Sequence, residues 1–131
     1  MKKLLALLFS LFFLLSSPSV FADANSSFCN AALEYEDETN KTLPRKIDEY
    51  TEVIQISVNC ANTVLKYTKR ILADESQLSE GWDTRKQRQH TQLHCNKDGM
   101  ARLEGWTAMD VIFDKDYNYL ITLETNPEDC N

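Results

Sequence analysis

The sequence predicts an α+β domain: a mainly antiparallel four-stranded sheet with helices on one face, laid down in the order helix, hairpin, helix, hairpin. Three observations predict it. Two pairs of short runs, within residues 50–72 and 105–125, alternate apolar and polar side chains with a period of two. Each pair follows a stretch with helical spacing or helix-favouring composition. Four cysteines, Cys29, Cys60, Cys95 and Cys130, fall two to each half of the chain.

The first 22 residues read as a secretory leader. Lys2 and Lys3 precede an apolar run from Leu4 to Leu15, and Val20-Phe21-Ala22 supplies a cleavage site before Asp23. The run is about a dozen residues, short of the roughly 20 that a spanning helix needs. Ser26-Ser27-Phe28 ahead of Cys29 lacks the small residue that a lipid-acceptor cysteine has immediately upstream. Residues 23–131 are then expected as one exported domain in the periplasm or the secreted fraction. Losing the leader removes two of the 14 basic residues and none of the 20 acidic ones, leaving a formal charge of −8. Such a surface repels phosphate backbones, which argues against a nucleic-acid partner.

Phe28, Ala31, Ala32 and Tyr35 follow helical spacing, with Ser26 or Ser27 as cap, and predict a helix from Ser26 to about Thr42. Glu34, Glu36, Asp37 and Glu38 make its other face acidic, as solvated faces are. Pro44 bars continuation. Tyr50 to Asn59 reads as the first strand, with Ile54, Ile56 and Val58 on one face. Asn59-Cys60-Ala61-Asn62 is turn chemistry. Thr63 to Leu72 returns as the second strand, with Leu65, Tyr67 and Ile71 opposed to Lys66 and Thr68.

A polar linker leads to a helix from Glu80 to about Cys95, with Ser79 as its cap. Only Trp82 and Leu93 are strongly apolar, so the helix is expected to rest lightly on the sheet. Asp98-Gly99 ends it, and Met100 and Leu103 anchor one more helical turn. Gly105 to Phe113 is the third strand, with Trp106, Ala108, Asp110 and Ile112 on one face. Asp114 to Asn118 turns the chain, and Tyr119 to Thr125 is the fourth strand, with Tyr119, Ile121 and Leu123 on one face.

An even cysteine count in a small exported domain predicts two disulfides, with three connectivities open. The topology favours Cys95 with Cys130 and Cys29 with Cys60, since a first helix lying across the sheet brings Cys29 to the hairpin tip. Each link closes a loop of just over 30 residues, worth roughly 4 kcal/mol in the chain-entropy treatment. With no C-x-x-C pair, the cysteines offer neither a zinc site nor redox catalysis.

His90 and His94 sit four apart on one helix face, a spacing that can offer two nitrogens to zinc, with Asp83 or Asp98 as the nearest third ligand. Thr91 stands where a metalloprotease carries its glutamate, so a solvated helix face is the favoured reading and no metal is assigned. Asp114-Lys115-Asp116-Tyr117-Asn118 resembles the opening of a calcium loop. Tyr119 replaces the required glycine and Thr125 the closing glutamate, which leaves a hairpin turn. No nucleophile motif or phosphate-cradling glycine loop occurs, and Asp110 on a half-exposed strand face needs no special role. No catalytic residue and no cofactor are predicted.

Several features resemble a known group. An I-D-E-Y-T stretch enters the first strand, V-L-K-Y lies in the second, Gly105 opens the third, and Asp129-Cys130 closes the chain after an aspartate-rich turn. Over Pro44 to Cys130 this pattern is similar to small exported bacterial proteins described as quorum-sensing-regulated virulence factors. The resemblance implies a compact α+β domain outside the cytoplasm and no established catalytic residues; Cys29 and Cys60 fall outside it. The expected function is non-enzymatic binding of another protein or an envelope component, with Trp106, Ile112 and Tyr119 as exposed apolar contact positions. The alternatives are an assembly factor or chaperone for an envelope or secretion machine, and a small inhibitor or immunity protein of an exported hydrolase.

Overall fold

A computed structural model describes residues 21–131, with side chains from Ser27 onward. The leader expected at 1–22 lies almost wholly outside the described residues. Within them the order is α1 (Phe21–Asn40), β1 (Arg45–Lys46), β2 (Thr51–Asn59), β3 (Val64–Ile71), α2 (Trp82–Cys95), α3 (Met100–Glu104), β4 (Thr107–Phe113) and β5 (Tyr119–Thr125). Short 3₁₀ turns lie at Glu75–Gln77 and Pro127–Cys130.

The sheet corrects the expected fold class. Among the described residues it has five strands in the order β1-β2-β3-β4-β5, and it is mixed: β3 and β4 run parallel. Thus neither the four-stranded, mainly antiparallel sheet nor the simple helix-hairpin-helix-hairpin order holds. The cause lies in the connection. Trp82, at the start of α2, packs near Ile71, where β3 ends, and α2 then carries the chain back along the sheet. Thr107 leaves beside Thr63, its N–H donating to the Thr63 carbonyl at 2.9 Å, so β4 repeats the direction of β3. A helix-length crossover yields a parallel pair, whereas two hairpins joined directly would not. The added strand, β1, is a two-residue edge on β2.

β2 departs from simple alternation. Its register shifts between Val53 and Gln55, so Ile54 is the extra residue of a bulge. Val53 therefore joins Ile56 and Val58 on the covered face, where the sequence reading placed Ile54.

The covered face has two apolar centres. In one, Phe28 and Ala32 of α1 pack on Val53, Ile56, Leu65 and Trp106, with the Phe28 ring edge-on to Trp106 at 4.9 Å between centroids. In the other, Trp82 of α2 and Leu78 pack on Ile71, Ile112 and Leu123. Cys29 is bonded to Cys60, tying α1 to the β2–β3 turn, and Cys95 to Cys130, tying the end of α2 to the last turn of the chain.

Helix side chains bind part of the outward-facing backbone of β2 and β5. The Asn40 carboxamide donates to the Ile56 carbonyl and accepts from the Ile56 N–H, both at 2.9 Å. The next outward N–H, of Val58, donates to Glu36 at 2.5 Å. At the opposite edge the Gln87 carboxamide donates to the Glu124 carbonyl at 2.9 Å and accepts from the Glu124 N–H at 3.3 Å.

Candidate functional site

A groove lies on the covered face, between α2 and the segment joining β1 to β2. α2 begins at Trp82 after Gly81, whose φ of +73° suits a residue without a side chain. From there Trp82, Lys86, Gln89, His90 and Leu93 recur at helical spacing and form one wall. Ile47, Asp48 and Thr51 form the facing wall, and Lys69, Ile71, Asp110, Ile112 and Leu123 the floor. The volume is about 210 Å³. Through Thr51, Ile71, Trp82 and Lys86 it continues into a wider recess of about 660 Å³ that reaches Tyr50, Ala73 and Leu78. The wider recess falls in the size range of binding sites, and the lining of both parts mixes apolar side chains with charged and polar ones, among them Asp48, Lys69, Lys86 and Asp110.

Large apolar side chains stand uncovered around the groove. Ile47, Tyr50 and Leu93 are 51%, 58% and 60% exposed. Isolated exposed apolar residues are ordinary, but three bordering one recess make a surface suited to a partner.

The floor holds a polar cluster. Lys69 Nζ lies 2.7 Å from Asp110 Oδ2. His90 is buried, its Nδ1 2.7 Å from Thr125 Oγ1 and its Nε2 3.8 Å from Asp110 Oδ1. The second separation is beyond hydrogen-bond reach, and Nε2 has no hydrogen-bond partner among the described residues. Burial acts to raise the Asp110 carboxyl, but His90 and Lys69 outweigh it and hold the group below its ordinary range. Nearby, burial first and His90 second push the His94 ring down to about 4. Tyr67, beside this cluster, is raised by burial and by its 2.9 Å contact with the Tyr35 hydroxyl.

This geometry revises several sequence-based site expectations. Trp106 and Ile112 are not exposed contacts: Trp106 is wholly buried under Phe28, and Ile112 is 5% exposed beneath α2. Both occupy the strand face that the helices cover. Tyr119 is 60% exposed, but on the opposite face, edge-on to Phe113 at 6.2 Å. Asp110 is buried rather than half-exposed, and His90 turns toward the sheet rather than solvent. His90 and His94 do lie together, with ring centroids 4.5 Å apart. Asp83 is exposed in the first turn of α2 and Asp98 is exposed beyond its end. No cluster of three or more potential ligands suited to a metal occurs among the described residues.

Asp114 serves its own turn. Its carboxylate accepts from the N–H groups of Asp116 at 2.8 Å and Asn118 at 2.9 Å, and from the Asn118 side chain at 3.0 Å. Those bonds hold its carboxyl below the usual range. The signal missed in the sequence was charge at covered-face parity. Lys69 follows Leu65 and Tyr67 in β3, and Asp110 follows Trp106 and Ala108 in β4, so opposite charges occupy apolar positions of neighbouring strands.

The chain matches no protein-family model, and no curated protein matches it. Solved structures do. A protein from Pseudomonas aeruginosa described as secreted aligns with a TM-score of 0.64 at 14% identity, over 88% of this chain and 100% of that one. The pilotin EpsS from the Vibrio vulnificus type 2 secretion system gives 0.62 at 12% identity, over 84% and 97%. The type II secretion system pilotin AspS from Vibrio cholerae gives 0.61 at 12% identity, over 86% and 100%. At these identities the likeness is one of fold. Among the described residues no helix is long and apolar enough to cross a membrane, and the two disulfides fit an oxidising compartment.

Proposed function

We propose that this chain is an exported, non-enzymatic assembly factor that holds a component of a type II secretion machine in the periplasm, and that the groove beside α2 is its docking site. The observation that carries this reading is the match to two pilotins over 97% and 100% of their chains, so that the likeness extends across the architecture. The exposed Ile47, Tyr50 and Leu93 around the groove support the same reading, because a docking protein keeps apolar surface free for its partner. Among the alternatives left by the sequence, assembly in the envelope therefore moves ahead of inhibition of an exported hydrolase.

Deletion of the gene in a host with a type II system tests the role. The expected result is loss of that system's cargo from the culture medium, restored by the wild-type gene and not by a Leu93→Glu copy. Undiminished secretion in the deletion strain contradicts it.

A further inference from the structure

The clamps at Asn40 and Gln87 concern the sheet edges and are independent of the groove. An edge strand presents unpaired N–H and C=O groups that can template pairing with another chain. Here each edge has one residue whose outward N–H and C=O are both taken by a helix carboxamide: Ile56 by Asn40, and Glu124 by Gln87. A carboxamide has the same donor and acceptor pair as a peptide group, so each side chain stands where a neighbouring strand's backbone would. Glu36 extends the cover on β2 to Val58, and β1 covers Glu52 and Val53.

We propose that Asn40 and Gln87 are edge guards, and that the surfaces they mask are strand-pairing surfaces for a second copy of this chain. The occupant follows from the topology. β2, beyond its short cover by β1, and β5 bound the two sides of one continuous sheet. With both sides open, the β5 edge of one copy meets the β2 edge of the next, a head-to-tail contact that does not close and extends into a filament. With one side open, only the same edge of a second copy is available, and the assembly stops at a dimer.

The test uses Asn40→Ala, Gln87→Ala and the double variant, with Asn40→Asp and Gln87→Glu as milder versions that keep the acceptor and lose the donor. Amide hydrogen exchange at Ile56 and Glu124 reports whether each clamp has opened, and sedimentation velocity across a hundredfold concentration range reports assembly. The expected result is at least a tenfold faster exchange at the affected amide, concentration-dependent dimers from either single variant, and open-ended oligomers from the double. Should the alanine variants fail to fold, the same ordering is expected from the Asp and Glu variants. Monomers at every concentration in folded variants whose Ile56 and Glu124 amides exchange freely would overturn the proposal.

Discussion

Lys69 and Asp110, 41 residues apart in sequence, meet at 2.7 Å across the parallel β3–β4 pair. Their side chains are 21% and 9% exposed, so the pair sits at the base of the groove with Lys69 nearer to water. The parallel register that the crossover helix enforces brings them together on the covered face. A direct hairpin between these strands would have given them other neighbours.

The two partners are therefore unequal. Lys69→Met leaves the Asp110 carboxylate buried without its cation and is expected to lower the unfolding free energy by about 3 kcal/mol. Asp110→Asn leaves Lys69 able to reach solvent, with an expected loss of about 1–2 kcal/mol. Urea denaturation of both variants checks the order. A larger loss from Asp110→Asn would place the burden on the lysine instead.

Acid should weaken the fold in two stages. Burial, aided by His90 and Lys69 and opposed by Asp110, lowers His94 from 6.5 to about 4. As pH falls below 6.5 the unfolded chain takes up a proton that the folded protein resists, so stability declines between 6.5 and 4. Asp110 acts in the same direction at lower pH: its carboxyl is lowered from 3.8, so its share is kept down to that pH and lost below it. In His94→Gln the slope of unfolding free energy with pH between 6.5 and 4 is expected to flatten, while the fall below 4 remains. An unchanged slope would assign the first stage to another group.

Trp106 organises the first apolar centre rather than a contact surface. Trp106→Ala is expected to cost about 3–5 kcal/mol, the range for emptying a buried aromatic site. The Trp106 indole N–H has no hydrogen-bond partner among the described residues, so Trp106→Phe loses ring volume without losing a bond and should cost less. Thermal melts of the two variants check this ordering, and equal losses would contradict it.

Much of this fold is legible in the sequence because local signals and the tertiary environment agree. The run ending at Phe113 alternates as a half-covered strand does, and Asp114 followed by Asn118 carries its own turn chemistry, whereas a register shift at the start of β5 turns Tyr119 to the face opposite Ile121 and Leu123. What alternation cannot express is pairing direction, since a period of two is the same for parallel and antiparallel strands. Nor can it reveal a bulge, so the single extra residue at Ile54 moved Val53 to the covered face against the apparent pattern. The site was harder to see for a related reason. Trp106 and Ile112 occupy the right strand face, but which face the helices cover is a tertiary fact, and reversing that choice turns core residues into expected contacts. His90 and Asp110 were read through their residue types as surface groups, when His90 faces the sheet from α2 and Asp110 lies on the floor beneath it.

The groove's role as a docking site is tested most directly by photo-crosslinking in living cells. A benzophenone side chain is placed at Leu93 or Ile47 on the groove, and at Tyr119 on the opposite face as reference. The account predicts adducts containing a type II secretion component from positions 93 and 47, and none from 119. No such adduct from either groove position, or the component captured only from 119, would contradict it.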